Sequence, residues 1–334
     1  MRFASYLLVT ASASLSVALP SRLPSQGFDW DSIQLAFGDS YTYVQGTAGH
    51  QNYSFIGDRF NLEYNAQTLL NNKIVQNQTA TAEGGPNWVE YLTGCGLEEG
   101  STSPLDCRRQ LWDFAFAGAD ISEEHTPLHH NFTVSLVSQI EQYKSYGHPV
   151  LKNRVKPSKA LVAIWIGIND LNDSAKYAVH FPTFYNELMD TLFASVRVLY
   201  SLGYRSYLFM NLPPLDRTPG NQKKVSPSPN ATQVMWYNEA LAQHAESFDK
   251  QYPDTNVLLF DAHSVLNAMM DQPARYGISN TTNFCPGYDQ PDINWNYQAY
   301  GCPTPLDTYF WFNSGHLTSY VHKLLARALE RTLK

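Results

Sequence analysis

The sequence predicts an α/β protein, a three-layer α/β/α domain on a five-stranded parallel sheet. Three observations point there. Short apolar runs at 33–37, 112–116, 160–166, 206–212 and 256–261 stand between turn residues. They are near-continuous rather than alternating, as strands covered on both faces are. Helical patterns lie between them, and alternating strands and helices build a parallel sheet with helices on its faces. A serine also stands at the carboxyl end of the first run, in Gly38-Asp39-Ser40-Tyr41. Open α/β sheets bind their ligands at that edge.

Residues 1–18 read as a secretory signal. Met1-Arg2 is a minimal positive start, an Ala/Ser-rich apolar stretch begins at 6–9, and Ser16-Val17-Ala18 offers the small residues that a signal peptidase reads. Cleavage is expected after Ala18, with Ala13 as a second candidate. No later run reaches the roughly 18 apolar residues of a membrane span. Residues 19–334 read as a single catalytic domain with no appended binding module, since no repeat, charge block or Pro/Ser-rich tether interrupts them.

Pro182 in the first turn and Gly203 beyond the end bound a helix at 181–201. Asn230, a good cap residue, opens another at 231–250. The last, 318–333, carries Val321, Leu324, Leu325, Ala328 and Leu329 as its apolar positions. A further helix is expected at 135–146. Two long irregular regions remain, 43–110 and 271–312. Loops this long are usually functional or tied down. One holds Cys95 and Cys107, the other Cys285 and Cys302. Four cysteines allow three connectivities. Pairing within each region is favoured, because the two regions lie far apart in the chain, and it would staple loops that border a site. No cysteine or histidine spacing fits a zinc finger.

The formal net charge is -7 and no Lys/Arg cluster occurs, which excludes a nucleic-acid partner. Six Asn-x-Ser/Thr sequons, at Asn52, Asn77, Asn131, Asn172, Asn230 and Asn280, fit a secreted, extracellular glycoprotein. Aromatics are 13% of the chain and charged residues only 16%, which suits either a large aromatic core or a surface facing sugars. Trp30, Tyr41, Trp88, Trp165 and Trp311 lie near motif segments and are candidates for a sugar site, although core burial is the commoner fate of such residues. A monomer is expected.

A serine hydroxyl is a poor nucleophile until a base takes its proton. His316 is the best placed of ten histidines for Ser40, because it follows Gly315 in a loop and precedes the last helix, which can return the chain to the start of the sheet. Attack on an acyl carbonyl creates an oxyanion, and each aligned donor in a dry site is worth roughly 100- to 1,000-fold in rate. Gly118, after the second strand, and the Asn169 amide, after the third, supply two donors; the Ser40 N–H is a third. Gly167 lets the chain turn tightly before Asn169. Asp39 and Asp170 read as braces of these turns through Asx-type hydrogen bonds. His129, His130 and His263 raise a metal reading, but isolated histidines are more often loop or core residues, and no metal or cofactor is expected. An ordinary histidine as base predicts a rate that rises with pH through roughly 6.5.

Gly38-Asp39-Ser40, the glycine of Phe116-Ala117-Gly118-Ala119-Asp120, Gly167-Ile168-Asn169-Asp170 and the final His316 resemble the four blocks of the SGNH (GDSL) hydrolases, over about residues 33 to 331. Phe37-Gly38-Asp39-Ser40-Tyr41-Thr42, Gly85-Pro86-Asn87-Trp88-Val89-Glu90-Tyr91-Leu92 and Phe114-Ala115-Phe116-Ala117-Gly118-Ala119 are similar to secreted fungal acetylesterases of carbohydrate esterase family 16. The resemblance implies a flavodoxin-like sheet, with Ser40 as nucleophile, Ser40, Gly118 and Asn169 as oxyanion hole, and His316 as base. It also implies a serine esterase that removes acetyl groups from carbohydrates such as xylo-oligosaccharides. The alternatives are a lipase or phospholipase on longer acyl chains, which needs an exposed apolar channel, and a non-catalytic glycan-binding protein. A glycosidase needs two opposed carboxylates, and no such pair stands out. One departure matters. The family has Asp three residues before the histidine; here that residue is Asn313. Its amide oxygen, a nearby backbone carbonyl or Asp307 are the candidates for orienting His316. The expectation is a Ser40–His316 dyad with weak orientation from Asn313.

Overall fold

The computed structural model describes Trp30 and residues 33–334 other than 155. The signal expected at 1–18 lies outside the described residues. The sheet contains β1 (Ile33–Gly38), β2 (Gln110–Asp113), β3 (Ala160–Trp165), β4 (Ser206–Met210) and β5 (Asn256–Phe260). Their spatial order is β2-β1-β3-β4-β5, and every pairing is parallel. β1 and β3 are buried along their whole length, as continuous apolar runs require. The chain steps from β1 to one side, then crosses back to the other. The switch point of this flavodoxin-like order therefore lies at the carboxyl ends of β1 and β3.

The second strand ends earlier than the apolar run. Phe114 and Phe116 N–H still donate to the Ala36 and Gly38 carbonyls, at 2.8 and 3.1 Å. Between them, the Asp113 carboxylate takes the Ala115 N–H, on the open edge of the sheet, at 2.8 Å. The run continues because Phe114 stays buried, stacked on Phe37 at 5.5 Å. The expected tails of β4 and β5 are also absent. Asn211 Nδ2 donates to Asp261 Oδ1 at 2.7 Å, so these residues tie the two strand ends together.

The helices that place the site are α1 (Trp88–Thr93), α2 (Leu136–Gln142), α3 (Ile168–Ser174), α4 (Phe181–Ser201), α5 (Ala231–Gln251), α6 (Ala262–Asp271) and α7 (Ser319–Leu333). α2 runs on through a π turn, Tyr143–Gly147, into His148–Leu151. α4 packs on α2 and α5, and α7 on α1 and α6, which gives the two outer layers. α7 buries Val321, Leu325, Leu329 and Leu333, a four-residue spacing on one face. Its Thr318 cap accepts the Val321 N–H. α1 falls inside a region expected to be irregular. Asn87 and Glu90 form a capping box there, enough to start a short helix.

Both local disulfides are present, Cys95–Cys107 and Cys285–Cys302. The second closes around a small satellite core of Ile293, Leu306, Tyr309 and Phe312. None of the five aromatic candidates for a sugar site is open to a ligand, since Trp30 is 4% exposed and Tyr41, Trp88, Trp165 and Trp311 are 0%. Their rings fill the core. Among the described residues, no helix is long and apolar enough to cross a membrane.

Candidate active site

Gly38 must be glycine because a Cβ there would meet the Trp165 carbonyl oxygen at 2.3 Å. After it the chain turns sharply. The Asp39 carbonyl accepts the Thr42 and Tyr43 N–H groups, both at 3.0 Å, and Asp39 Oδ1 accepts Tyr41 N–H at 3.0 Å. This Asx-type brace presents Ser40 at the end of β1, where it is 9% exposed.

His316 arrives from the far end of the chain. The Phe312 N–H donates to the His316 carbonyl at 2.8 Å, and Tyr41 OH donates to the Gly315 carbonyl. The Tyr41 ring lies 5.4 Å from the imidazole. His316 Nε2 is 2.9 Å from Ser40 Oγ, and Nδ1 is 3.0 Å from Asn313 Oδ1. The same Oδ1 accepts the Gly315 and His316 N–H groups, at 3.0 and 2.9 Å. Two main-chain donors thus identify that atom as oxygen. An oxygen can only accept, so Nδ1 carries the proton and Nε2 presents its lone pair to Ser40. Of the three candidate orienting groups, the Asn313 amide oxygen is the one in contact; Asp307 is exposed on the turn Leu306–Thr308. Desolvation lowers the His316 pKa from 6.5 to about 4. Asn313 has no charge with which to oppose that shift. The imidazole is therefore a free base well below the pH of roughly 6.5 expected of an ordinary histidine.

Gly118 has φ +82° and Gly167 φ +112°, both in the left-handed region that favours glycine. A Cβ on Gly167 would also meet the Tyr237 hydroxyl at 2.0 Å. Asn169 stands in the first turn of α3, where sequence reading placed only a tight turn after the strand. Its Nδ2 donates to the Ala119 carbonyl at 2.9 Å, and its second N–H remains for a ligand. Beside it, Asp170 accepts the Ile121 N–H at 3.1 Å. These two side chains clamp the segment from Gly118 to Ile121 onto the start of α3. Asp39 and Asp170 thus both engage turn N–H groups, and burial raises the pKa of each to about 7. Neither Ser40 nor Gly118 N–H is used by the turn hydrogen bonds of the described residues.

The three histidines behind the metal reading do not converge. His263 N–H donates to Asn211 Oδ1, and the His130 ring stacks on Phe132 at 4.9 Å. His129 Nε2 pairs with Asp173 Oδ2 at 2.7 Å, beside Gly118. Sequence reading missed this pair. Its signal was the three-residue step from Asp170 to Asp173, which puts both acids on one helix face.

A Ser–His pair at the switch point of a parallel sheet, with an amide side chain in the first turn of the helix that follows β3, is an arrangement suited to ester hydrolysis. The family model described as GDSL-like Lipase/Acylhydrolase matches residues 35–329, and the chain belongs to that family of carboxylic ester hydrolases. It is 25% identical over 301 residues to an acetylesterase of Thermothelomyces thermophilus, covering 88% of this chain and 86% of that protein. It is 24% identical over 282 residues to an acetylesterase of Hypocrea jecorina, covering 74% and 76%. A GDSL esterase/lipase (APG) of Arabidopsis thaliana is 24% identical over 240 residues, covering 65% and 67%.

Proposed function

We infer that this ester hydrolase is a secreted serine acetylesterase that releases short acyl groups from carbohydrates such as xylo-oligosaccharides. The observation that carries the chemistry is the 2.9 Å approach of His316 Nε2 to Ser40 Oγ, with Nδ1 held by Asn313. Ser40 Oγ attacks the acyl carbon as its proton passes to His316 Nε2. The negative charge on the acyl oxygen is met by the Ser40 and Gly118 N–H groups and by Asn169 Nδ2. As the tetrahedral species collapses, the C–O bond to the sugar breaks and His316 returns the proton to the leaving alcohol. Water, deprotonated by His316, then attacks the acyl-enzyme and frees acetate and Ser40.

The short acyl group is supported by likeness to the two fungal acetylesterases; the sugar follows from the resemblance of the motif segments to carbohydrate esterase family 16. A lipase reading wants a contiguous apolar entrance. Among the described residues only Phe60, Leu97, Val179, Val225, Met235 and Trp295 are large, apolar and exposed, which is little surface for such an entrance. Two stapled loops and exposed asparagines at five of the six sequons accord with secretion. The test is acetate release from acetylated xylo-oligosaccharides, beside hydrolysis of 4-nitrophenyl acetate and octanoate. Acetate release and a preference for the acetyl ester support the reading. Faster octanoate hydrolysis with no release from the sugar would replace it with a lipase. Labelling by a serine-reactive phosphonate, lost in Ser40→Ala, separates an enzyme from a glycan-binding protein.

A further inference from the structure

Each amide donor of the site has an aspartate next to it or two residues away: Asp39 before Ser40, Asp120 after Gly118, Asp170 after Asn169. All three are 0% exposed. Burial pushes the Asp120 carboxyl up to about 9, and the charge of Asp170 adds to the effect at both Asp120 and Asp39. Raised this far, the three carboxyls are largely protonated at pH 6 and put negative charge behind these donors, against the oxyanion, only as the pH climbs. What packs against the Gly118 side of this cluster therefore bears on how the donors are held.

His129 occupies that place. Its Nε2 is 2.7 Å from Asp173 Oδ2, one helical turn beyond Asn169 and Asp170 on α3. Polar atoms of Asp120, His129 and Asp173 all lie within 4.8 Å of one another. A Cβ on Gly118 would come within 3.3 Å of His129 Cβ and 3.5 Å of its Nδ1, so the histidine lies against the Gly118 peptide. The charge of His129 also acts on Asp39 and Asp170. Among the described residues, Lys176 also faces the group and reaches Asp173 from solvent at 3.4 Å.

We propose that His129, held by Asp173, is a positioning residue for ester hydrolysis: its imidazolium, paired with Asp173 on α3, seats the Gly118 peptide against the helix that carries Asn169. The inference rests on the serine-esterase reading and adds a charge requirement to it. The hydrogen bond to Asp173 raises the pKa of His129 above 6.5. A raised histidine keeps its charge at acidic pH and loses it as pH climbs past the raised value. Hydrolysis then has two limbs: it rises as His316 becomes a free base and falls again as His129 is neutralised.

The experiment is the pH profile of kcat and KM for 4-nitrophenyl acetate in the wild type, His129→Gln and Asp173→Asn, with phosphonate labelling of Ser40 and a melting curve for each protein. His129→Gln should lower kcat at pH 6 roughly tenfold, a fraction of what one oxyanion donor is worth, with little change in KM. It should also shrink the alkaline fall to what the ionising Asp39 and Asp170 carboxyls contribute. Asp173→Asn should move that fall to lower pH, because the histidine loses the partner that stabilises its charge. If His129→Gln does not melt cooperatively, Asp173→Asn decides alone. An active wild type whose alkaline limb is unchanged in the folded variants overturns the proposal and leaves the esterase standing. Loss of wild-type activity in EDTA, restored by Zn2+, also overturns it, because the trio would then hold a metal. A wild type that is neither active nor labelled removes both readings.

Discussion

Asn313 Oδ1 lies 3.0 Å from His316 Nδ1 and is turned toward it by two main-chain N–H groups of the same loop. An aspartate in this position orients a histidine by charge and shape together. Here shape acts alone: the loop fixes the amide, and the amide fixes the tautomer. The orientation is firmer than the weak hold expected from an uncharged residue 313. In a serine protease, an Asn that faces its histidine with the wrong group lowers kcat by about 10,000-fold. The loop from Asn313 to His316 avoids that outcome by spending two backbone donors on the amide oxygen.

Asn313→Ala should therefore lower kcat by roughly 10- to 100-fold, because Nδ1 loses its acceptor while the imidazole stays near Ser40. His316→Ala should cost about 10,000-fold or more, since the base itself is gone. Steady-state kinetics on 4-nitrophenyl acetate compares the two. Equal losses would mean that the histidine is useless unless residue 313 holds it.

The acid limb of kcat/KM should sit near pH 4, where desolvation places His316. The base must be neutral to accept the Ser40 proton, so activity rises with pH through that value and not through 6.5. Asn313→Asp adds a negative charge beside Nδ1, favours the imidazolium and should move the limb to higher pH. A pH–rate profile that stays put in Asn313→Asp would show that the carboxylate does not reach the ring.

Gly167→Ala should destabilise the fold by about 2–4 kcal/mol, as strain and overpacking coincide there. The residue has φ +112°, and its new Cβ would strike the Tyr237 hydroxyl at 2.0 Å. Urea denaturation measures the loss. Because α3 starts at this glycine, kcat should fall as well, through a displaced Asn169.

Stability should decline as the pH rises from 4 toward 8. Glu90 is buried in the α1 capping box, and burial raises its pKa from 4.5 to about 8. The unfolded chain releases that proton first, so the folded state is favoured below about 4.5 and loses the advantage as pH climbs through 8. Asp120 acts in the same direction. Glu90→Gln keeps an acceptor for the Asn87 N–H and should flatten the decline in a series of melting curves taken across this range.

Much of the scaffold was legible because its signals are local. β1 and β3 are continuous apolar runs, α4 has the expected bounds set by Pro182 and Gly203, and Thr318 caps α7 as its sequence suggests. Failures came where a side chain outweighed the pattern. The Asp113 carboxylate takes the Ala115 N–H just past β2, and the regular strand stops inside an apolar run. Asn87 and Glu90 start a helix in a stretch that reads as loop.

By itself, the sequence determined the layered α/β architecture, the order of the four motif blocks and the residue types they contain. Each depends on neighbours a few positions apart, where hydrogen-bond geometry and side-chain period leave little choice. The tertiary structure alone decided which atom of Asn313 faces His316, that five candidate aromatics are buried, and that His129 meets Asp173 beside Gly118. Those outcomes depend on which groups are brought together from distant parts of the chain, as Ser40 and His316 are across 276 positions, and on how much water is left between them. Neither quantity is carried by any local pattern, because desolvation and long-range contact exist only once the sheet and its helices have packed.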